Sequence, residues 1–231
     1  MSTHTTTHPL DLVVLDMAGT TVADGGLVEL AFSSAAERLG EDPAGMIGHV
    51  RATMGESKIT VFRHLFGGDE ERAQQANRAF EEAYGELVSQ GRITPVPGAA
   101  EAIAALRDQG RTVVLTTGFA RVTQDAILDV LGWRELVTLT LCPADAGGRG
   151  RPYPDMVLAA FLRTGAVDHV RQVVVAGDTS YDMLSGVRSG AGLVAGVLTG
   201  AHSTEALTAH GATHVLPSVA ELPALLKESA R

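Results

Sequence analysis

The sequence predicts an α/β protein: a doubly wound parallel sheet, interrupted after its first strand by an all-helical cap segment. Three observations carry this. Short apolar runs recur without polar alternation, as strands covered on both faces require. Helical patterns follow most of these runs, which is the strand–helix rhythm of a parallel sheet. Residues 22–97 break that rhythm, with several helical patterns and no convincing strand.

The elements are justified in order. "LDLVVLD" (10–16) is the first strand and ends on Asp16. In the interruption, "LVELAFSSAAERLG" and "DEERAQQANRAFEEAYGELVSQG" show helical spacing and strong helix formers. Gly67-Gly68 and Gly91 read as breaks between those helices. "TPVPGAAEAIAALRDQG" restarts the main unit, with Pro97 near a helix start and Gly110 after its end. "RTVVLTTG" (111–118) is the second strand, followed by a helix over about 120–131. "LVTLTLC" (136–142), "QVVVAGD" (172–178) and "GLVAGVL" (192–198) are further strands, and "THVLP" (213–217) is a sixth. The division is thus an α/β core of residues 1–21 and 98–231, and a helical cap of residues 22–97.

Composition narrows the function. The formal charge of −9 and the lack of a Lys/Arg cluster argue against a nucleic-acid binder. The single cysteine, Cys142, makes no internal disulfide, the first residues lack a signal-peptide pattern, and no apolar run reaches the roughly 20 residues of a membrane span. A cytoplasmic enzyme with no membrane or nucleic-acid partner is the expectation. His4 and His8 read as solvated tail residues. The glycine-rich "RSGAGLVAGVLTGAHS" follows a helix and enters a strand, the reverse of the dinucleotide fingerprint.

Ligands of parallel sheets bind outside the carboxyl ends of the strands. Asp16, Thr116-Thr117-Gly118 and Asp178 fall there, Asp182 follows one helical turn later, and Arg151 lies in the loop "GGRGRPYPDM". Each residue type suits phosphoryl chemistry. A carboxylate is a nucleophile, paired carboxylates and a backbone carbonyl hold Mg²⁺, a hydroxyl and backbone N–H groups hold phosphoryl oxygens, and arginine clamps an oxyanion. The plainer reading, that such acids are helix caps, fits any one of them better than the whole set.

The series D-x-x-G-T-[TV], [ST]-G, a basic residue and G-D-x-x-x-D resembles the haloacid dehalogenase superfamily. That resemblance implies Asp16 as nucleophile, and Asp16, the Ala18 carbonyl and Asp178 as the Mg²⁺ site, with Asp182 behind them or joined to the metal through water. It implies Thr117, Gly118 and Arg151 as holders of the transferred group. Superfamily phosphatases usually carry an acid two residues after the nucleophile, which protonates the leaving alkoxide. Here that position is Ala18, and "DMAGTT" resembles the D-x-A-G-T of phosphonoacetaldehyde hydrolase (phosphonatase). A carbon leaving group needs an electron sink, which that family makes by condensing a cap lysine with the substrate aldehyde. The cap segment holds one lysine, Lys58, in "MGESKITVFRHL", similar to the family's M-G-x-x-K. Arg63 and Mg²⁺ are candidate cations for depressing its pKa. Arg151 replaces the superfamily's usual lysine and does not compete for the aldehyde.

The resemblance is incomplete. Val61 stands where the family has histidine, with His64 a candidate substitute; Phe119 stands where it has tyrosine; "ADGGLV" lacks its cysteine. Met54 and Phe119 are candidate pocket walls, with Phe32 a further one, and Trp133 and Tyr153 read as packing residues. His202, His210 and His214 are expected to face solvent or cap helices. The function implied is cleavage of the C–P bond of a 2-oxoalkylphosphonate, and the alternative is a phosphatase or phosphomutase of a small phosphomonoester. The substrate in either case is a small anionic phosphonate or phosphate, and the resemblance implies a homodimer.

Overall fold

The computed structural model describes residues 10–228, so His4 and His8 lie outside the described residues. Six parallel strands form the main sheet: β1 (Leu12–Asp16), β4 (Thr112–Thr116), β5 (Leu139–Leu141), β6 (Val173–Gly177), β7 (Leu193–Val197) and β8 (His214–Leu216). Their order is β5-β4-β1-β6-β7-β8. The chain therefore builds outward from β1 on one side, then returns to build on the other. Such a reversal opens a crevice at the carboxyl end of the central strand. The registers Asp16↔Thr116 and Leu15↔Ala176 bring the ends of β1, β4 and β6 level.

β1 shows why its run lacks alternation. Val13 and Leu15 face one apolar cluster with Ile103, Leu106 and Ile127 from helices α5 (Ala99–Asp108) and α6 (Arg121–Leu131). Leu12 and Val14 face another, with Val157 and Ala160 of α7 (Asp155–Thr164). Both faces are covered, so Leu12, Val13, Val14 and Leu15 are all apolar and only the last position, Asp16, is not. Helix α8 (Ser180–Ser189) follows β6 and packs through Met183 and Gly186.

Between β1 and α5 lie four helices: α1 (Leu27–Arg38), α2 (Ala44–Ala52), α3 (Lys58–Leu65) and α4 (Glu70–Ser89). Phe32, Phe62 and Phe80 join α1, α3 and α4, with ring centroids 4.8 Å apart for Phe32–Phe62 and 4.7 Å for Phe32–Phe80. The interruption is not free of strand. β2 (Val22–Ala23) pairs antiparallel with β3 (Thr94–Pro95) where the chain leaves and re-enters the main sheet unit. Two residues are too few to leave a periodic trace in a sequence. The strand read over 136–142 is also shorter, since β5 occupies only Leu139–Leu141. Among the described residues, no helix is long and apolar enough to cross a membrane.

Candidate active site

A cavity of about 540 Å³ opens at the carboxyl end of β1, and its lining joins the sheet to the helical segment. Asp16, Ala18, Thr117, Gly118, Phe119, Arg151 and Asp178 line it from below; Asp24, Met54, Gly55 and Lys58 line it from above. Asp16, Ala18, Met54, Lys58, Thr117, Gly118, Phe119, Arg151 and Asp178 thus lie where the sequence reading put them; Thr116, Arg63 and His64 do not line the cavity, and Asp182 meets the same group of carboxylates from α8. Phe32 is not a wall, because its ring is consumed in the Phe62–Phe80 cluster.

Asp16, Asp178 and Asp182 are all buried, and each offers an oxygen within 4.8 Å of the others. Arg151, 5% exposed, lies among them. Its Nη2 donates to Asp16 Oδ1 and, at 2.9 Å, to Thr116 Oγ1, while its Nε is 2.5 Å from Asp182 Oδ1. Burial works against the guanidinium's charge, but Asp16, Asp182 and Asp178 hold it charged. Burial raises Asp16 well above the ordinary carboxylate value; Arg151 opposes that rise, and Asp182 and Asp178 add to it. Asp178 is pushed up to about 7 by burial and by Asp182. Ionised, the three buried carboxylates would outnumber the one guanidinium, and their mutual repulsion is part of what raises Asp16 and Asp178. A hard, all-oxygen donor set with that excess fits a small divalent cation.

The surrounding loops fix these acids. Thr20 Oγ1 donates to Asp178 Oδ1 at 3.0 Å, and the Ala201 N–H donates to Asp178 Oδ2 at 2.8 Å. A Cβ at Gly200 would lie 1.9 Å from Asp178 Oδ2, so only glycine lets the segment after β7 close this tightly. The capping reading holds in part for Asp182: its carboxylate accepts from the Thr179 N–H at 3.1 Å at the start of α8. It does so while its other oxygen meets Arg151. Thr117 Oγ1 accepts from the Phe119 N–H at 3.2 Å.

Lys58 is the first residue of α3, 7% exposed, with its side chain in the cavity. Among the described residues its side chain makes no hydrogen bond or ion pair. Its Nζ lies 5.3 Å from the centroid of the Phe119 ring. Burial lowers its pKa, opposed by Asp24, Asp16 and Glu81. Arg63 does not have the role expected of it, since it is exposed and pairs with Glu70 at 2.7 Å. The chain's other lysine, Lys227, is exposed on α10 (Leu222–Glu228).

His64 does not replace the missing histidine. Lys58, Val61 and Phe62 share the buried face of α3, and a residue six positions after Lys58 falls off that face. His64 is exposed and stacks on His49, with centroids 4.1 Å apart. A phenol does return near Phe119 from elsewhere. Tyr84 of α4 is fully buried, its ring centroid 4.5 Å from that of Phe119, and its hydroxyl has no hydrogen-bond partner among the described residues. Tyr153 is not a packing residue: it is 47% exposed, with the Arg149 guanidinium 4.7 Å from its ring centroid, whereas Trp133 is buried. His202 caps α8, its Nδ1 accepting from the Ser180 N–H at 2.8 Å, and its own N–H donates to the Asp178 carbonyl.

The sequence reading missed Thr116 as a support of Arg151, Thr20 and Ala201 as supports of Asp178, and Asp24 as a cavity residue. Asp24 stands in the quoted "ADGGLV", so its identity was visible and its direction was not.

The family model for haloacid dehalogenase-like hydrolases matches residues 10–190. The chain belongs to this family. A Dickeya dadantii protein named "Probable phosphatase IndB" is 30% identical over 204 residues, covering 86% of this chain and 85% of that protein. A Parabacteroides distasonis protein named phosphonoacetaldehyde hydrolase is 28% identical over 260 residues, covering 94% and 95%. Among solved structures, a phosphonoacetaldehyde hydrolase like protein from Oleispira antarctica superimposes with a TM-score of 0.82 at 24% identity, covering 96% and 93%, which speaks to the fold. The chain is thus a hydrolase with a parallel α/β fold, similar to proteins named as phosphonatases and to others named as phosphatases.

Proposed function

We propose that this hydrolase cleaves the C–P bond of a 2-oxoalkylphosphonate, with Asp16 attacking phosphorus and Lys58 holding the substrate carbonyl as a protonated imine. The observation that carries the reading is Lys58 itself. A lysine taken out of water without an ion pair costs stability and gains a use only if its neutral amine is needed. It faces the same cavity as Asp16, and Ala18 offers no acid for an alkoxide.

In this reading residues 22–97 are a cap over the core, and Lys58 is the cap's contribution. The Lys58 amine attacks the carbonyl and water leaves, giving the iminium. An Asp16 oxygen attacks phosphorus, the C–P bond breaks, and its electron pair moves into the iminium to give an enamine on Lys58. Protonation at carbon and hydrolysis release the carbonyl product, and water hydrolyses the aspartyl-phosphate. Arg151 and the Thr117–Gly118 turn hold the phosphonyl oxygens. Asp16, the Ala18 carbonyl, Asp178 and Asp182 would hold Mg²⁺, which supplies positive charge against the carboxylates and the anionic substrate. Met54 and Phe119 bound the carbon side of the cavity.

The test is borohydride trapping with phosphonoacetaldehyde and with 2-oxopropylphosphonate. The expected result is an irreversible adduct on Lys58, easily assigned because the chain has only one other lysine, and none in Lys58→Arg. The absence of an adduct with any oxo-phosphonate would overturn the reading. The relative named as a phosphatase favours a second reading, hydrolysis of a small phosphomonoester. In that case phosphate release from phosphomonoesters persists in Lys58→Arg and no adduct forms.

A further inference from the structure

We infer that Asp24 is the proton carrier for Lys58, taking a proton from its ammonium and delivering it to the oxygen of the substrate carbonyl. This rests on the imine reading above. Four carboxylates line the cavity: Asp16, Asp24, Glu29 and Asp178. Three of them are committed elsewhere. Asp16 pairs with Arg151, Asp178 belongs with Asp16 and Asp182 to the proposed metal site, and Glu29 is held by the Arg51 guanidinium through two contacts of 2.8 Å. Asp24 makes no ion pair among the described residues. Its oxygens accept from the N–H groups of Gly26 at 3.1 Å and Val28 at 3.2 Å, which leaves lone-pair capacity on each.

Those two amides fix the carboxylate at the start of α1, on the cavity wall. Of the charges around Lys58, that of Asp24 acts most strongly, ahead of Asp16 and Glu81. Burial also raises Asp24 above the usual carboxylate range, which suits a group that must hold a proton and release it. Glu81 is the rival acid. It does not line the cavity, and its carboxylate is turned to the start of α6, where it accepts from the Ala120 N–H at 3.2 Å and from the Thr123 hydroxyl. His64 faces away, as described. Asp24 is the remaining carboxylate that faces both Lys58 and open space.

The step balances. Lys58 gives a proton to the Asp24 carboxylate and becomes a neutral amine. The amine nitrogen bonds to the carbonyl carbon, and the Asp24 acid protonates the carbonyl oxygen. That oxygen leaves as water with one proton from Asp24 and one from the amine nitrogen. The products are the iminium, water and the Asp24 carboxylate.

The plainer role of Asp24 is to start α1, so the test must separate the two. Asn and Ser keep an oxygen acceptor for the α1 amides but carry no proton. The experiment measures the rate of borohydride-trapped adduct with saturating phosphonoacetaldehyde, in full-length protein with Mg²⁺, for wild type, Asp24→Asn, Asp24→Ser and Asp24→Glu. Thermal unfolding is followed in parallel. Trapping is expected to slow about 100-fold or more in the Asn and Ser variants at an unchanged unfolding midpoint, with Asp24→Glu recovering part of the rate. Equal trapping in wild type and in whichever of Asp24→Asn and Asp24→Ser folds overturns this inference and leaves the imine reading standing. Wild-type protein that traps nothing overturns both.

Discussion

Gly55 gives the sharpest test of how Lys58 is delivered to the cavity. It sits three residues before Lys58, at φ +96°, and a Cβ built there would lie 2.4 Å from Thr179 Oγ1 and 2.9 Å from Thr179 Cβ and Cγ2. Thr179 has little room to yield, because it is buried and its hydroxyl and N–H both bond Asp182 at the start of α8. In Gly55→Ala the positive φ costs about 1–2 kcal/mol and the overpacking about 1–3 kcal/mol. The expected loss is therefore about 2–5 kcal/mol unless the loop lifts away. If it lifts by an ångström, Lys58 moves with it, and kcat/KM falls about 100-fold. Gly91→Ala is the matched control: Gly91 has φ +71° but nothing within 4 Å of its would-be Cβ. It should lose only the φ term, about 1–2 kcal/mol, and keep its turnover. Urea denaturation and steady-state phosphate release on both variants decide the matter. Gly55→Ala that matches Gly91→Ala in stability and turnover would show that the loop does not bear on Thr179.

Other expectations follow from the buried charges. In metal-free protein the native state binds the Asp178 proton more tightly than the unfolded chain, so this group's contribution falls as pH climbs from about 4 through about 7. Relative to Asp178→Asn, wild type should lose on the order of 4 kcal/mol by pH 8 in urea titrations with chelator. Mg²⁺ at a hundred times its Kd should stabilise wild type by about 3 kcal/mol, and an unchanged unfolding curve would count against the metal site. For Lys58 the sign is opposite. Its pKa is lowered, so the unfolded chain holds the proton up to about 10.5, and wild-type stability relative to Lys58→Met should rise with pH between the lowered value and 10.5. A flat difference from pH 7 to pH 10 would mean that the amine is solvated. Tyr84→Phe removes a buried hydroxyl with no partner, so the variant should gain about 1 kcal/mol by thermal unfolding; a loss would reveal a partner for that hydroxyl.

Much of the site could be read from the chain because its acids sit at strand ends. Asp16 closes β1, and Asp178 follows β6 directly. Once the runs are read as parallel strands, the topology gathers those ends. Lys58 was legible through its neighbours in "MGESK", not through any strand end. The environment of these residues was not legible. Nothing local says that Arg63 turns outward to Glu70, that Tyr84 returns a phenol to Phe119, or that Tyr153 stays exposed. Two-residue strands such as β2 and β3 leave no period to detect.

What the sequence determined by itself is the order of strands and helices, the interruption after β1, and the identity of the acids, the arginine and the lysine. These depend on local patterns of apolar residues, turns and charge, which are written along the chain. What only the tertiary structure decided is which of those groups are paired and which are left over. Arg151 is shared between Asp16 and Asp182, whereas Lys58 and Asp24 face one cavity without an ion pair. Pairing depends on distances between residues more than a hundred positions apart, such as Asp16 and Arg151, and those distances are set by packing the whole chain.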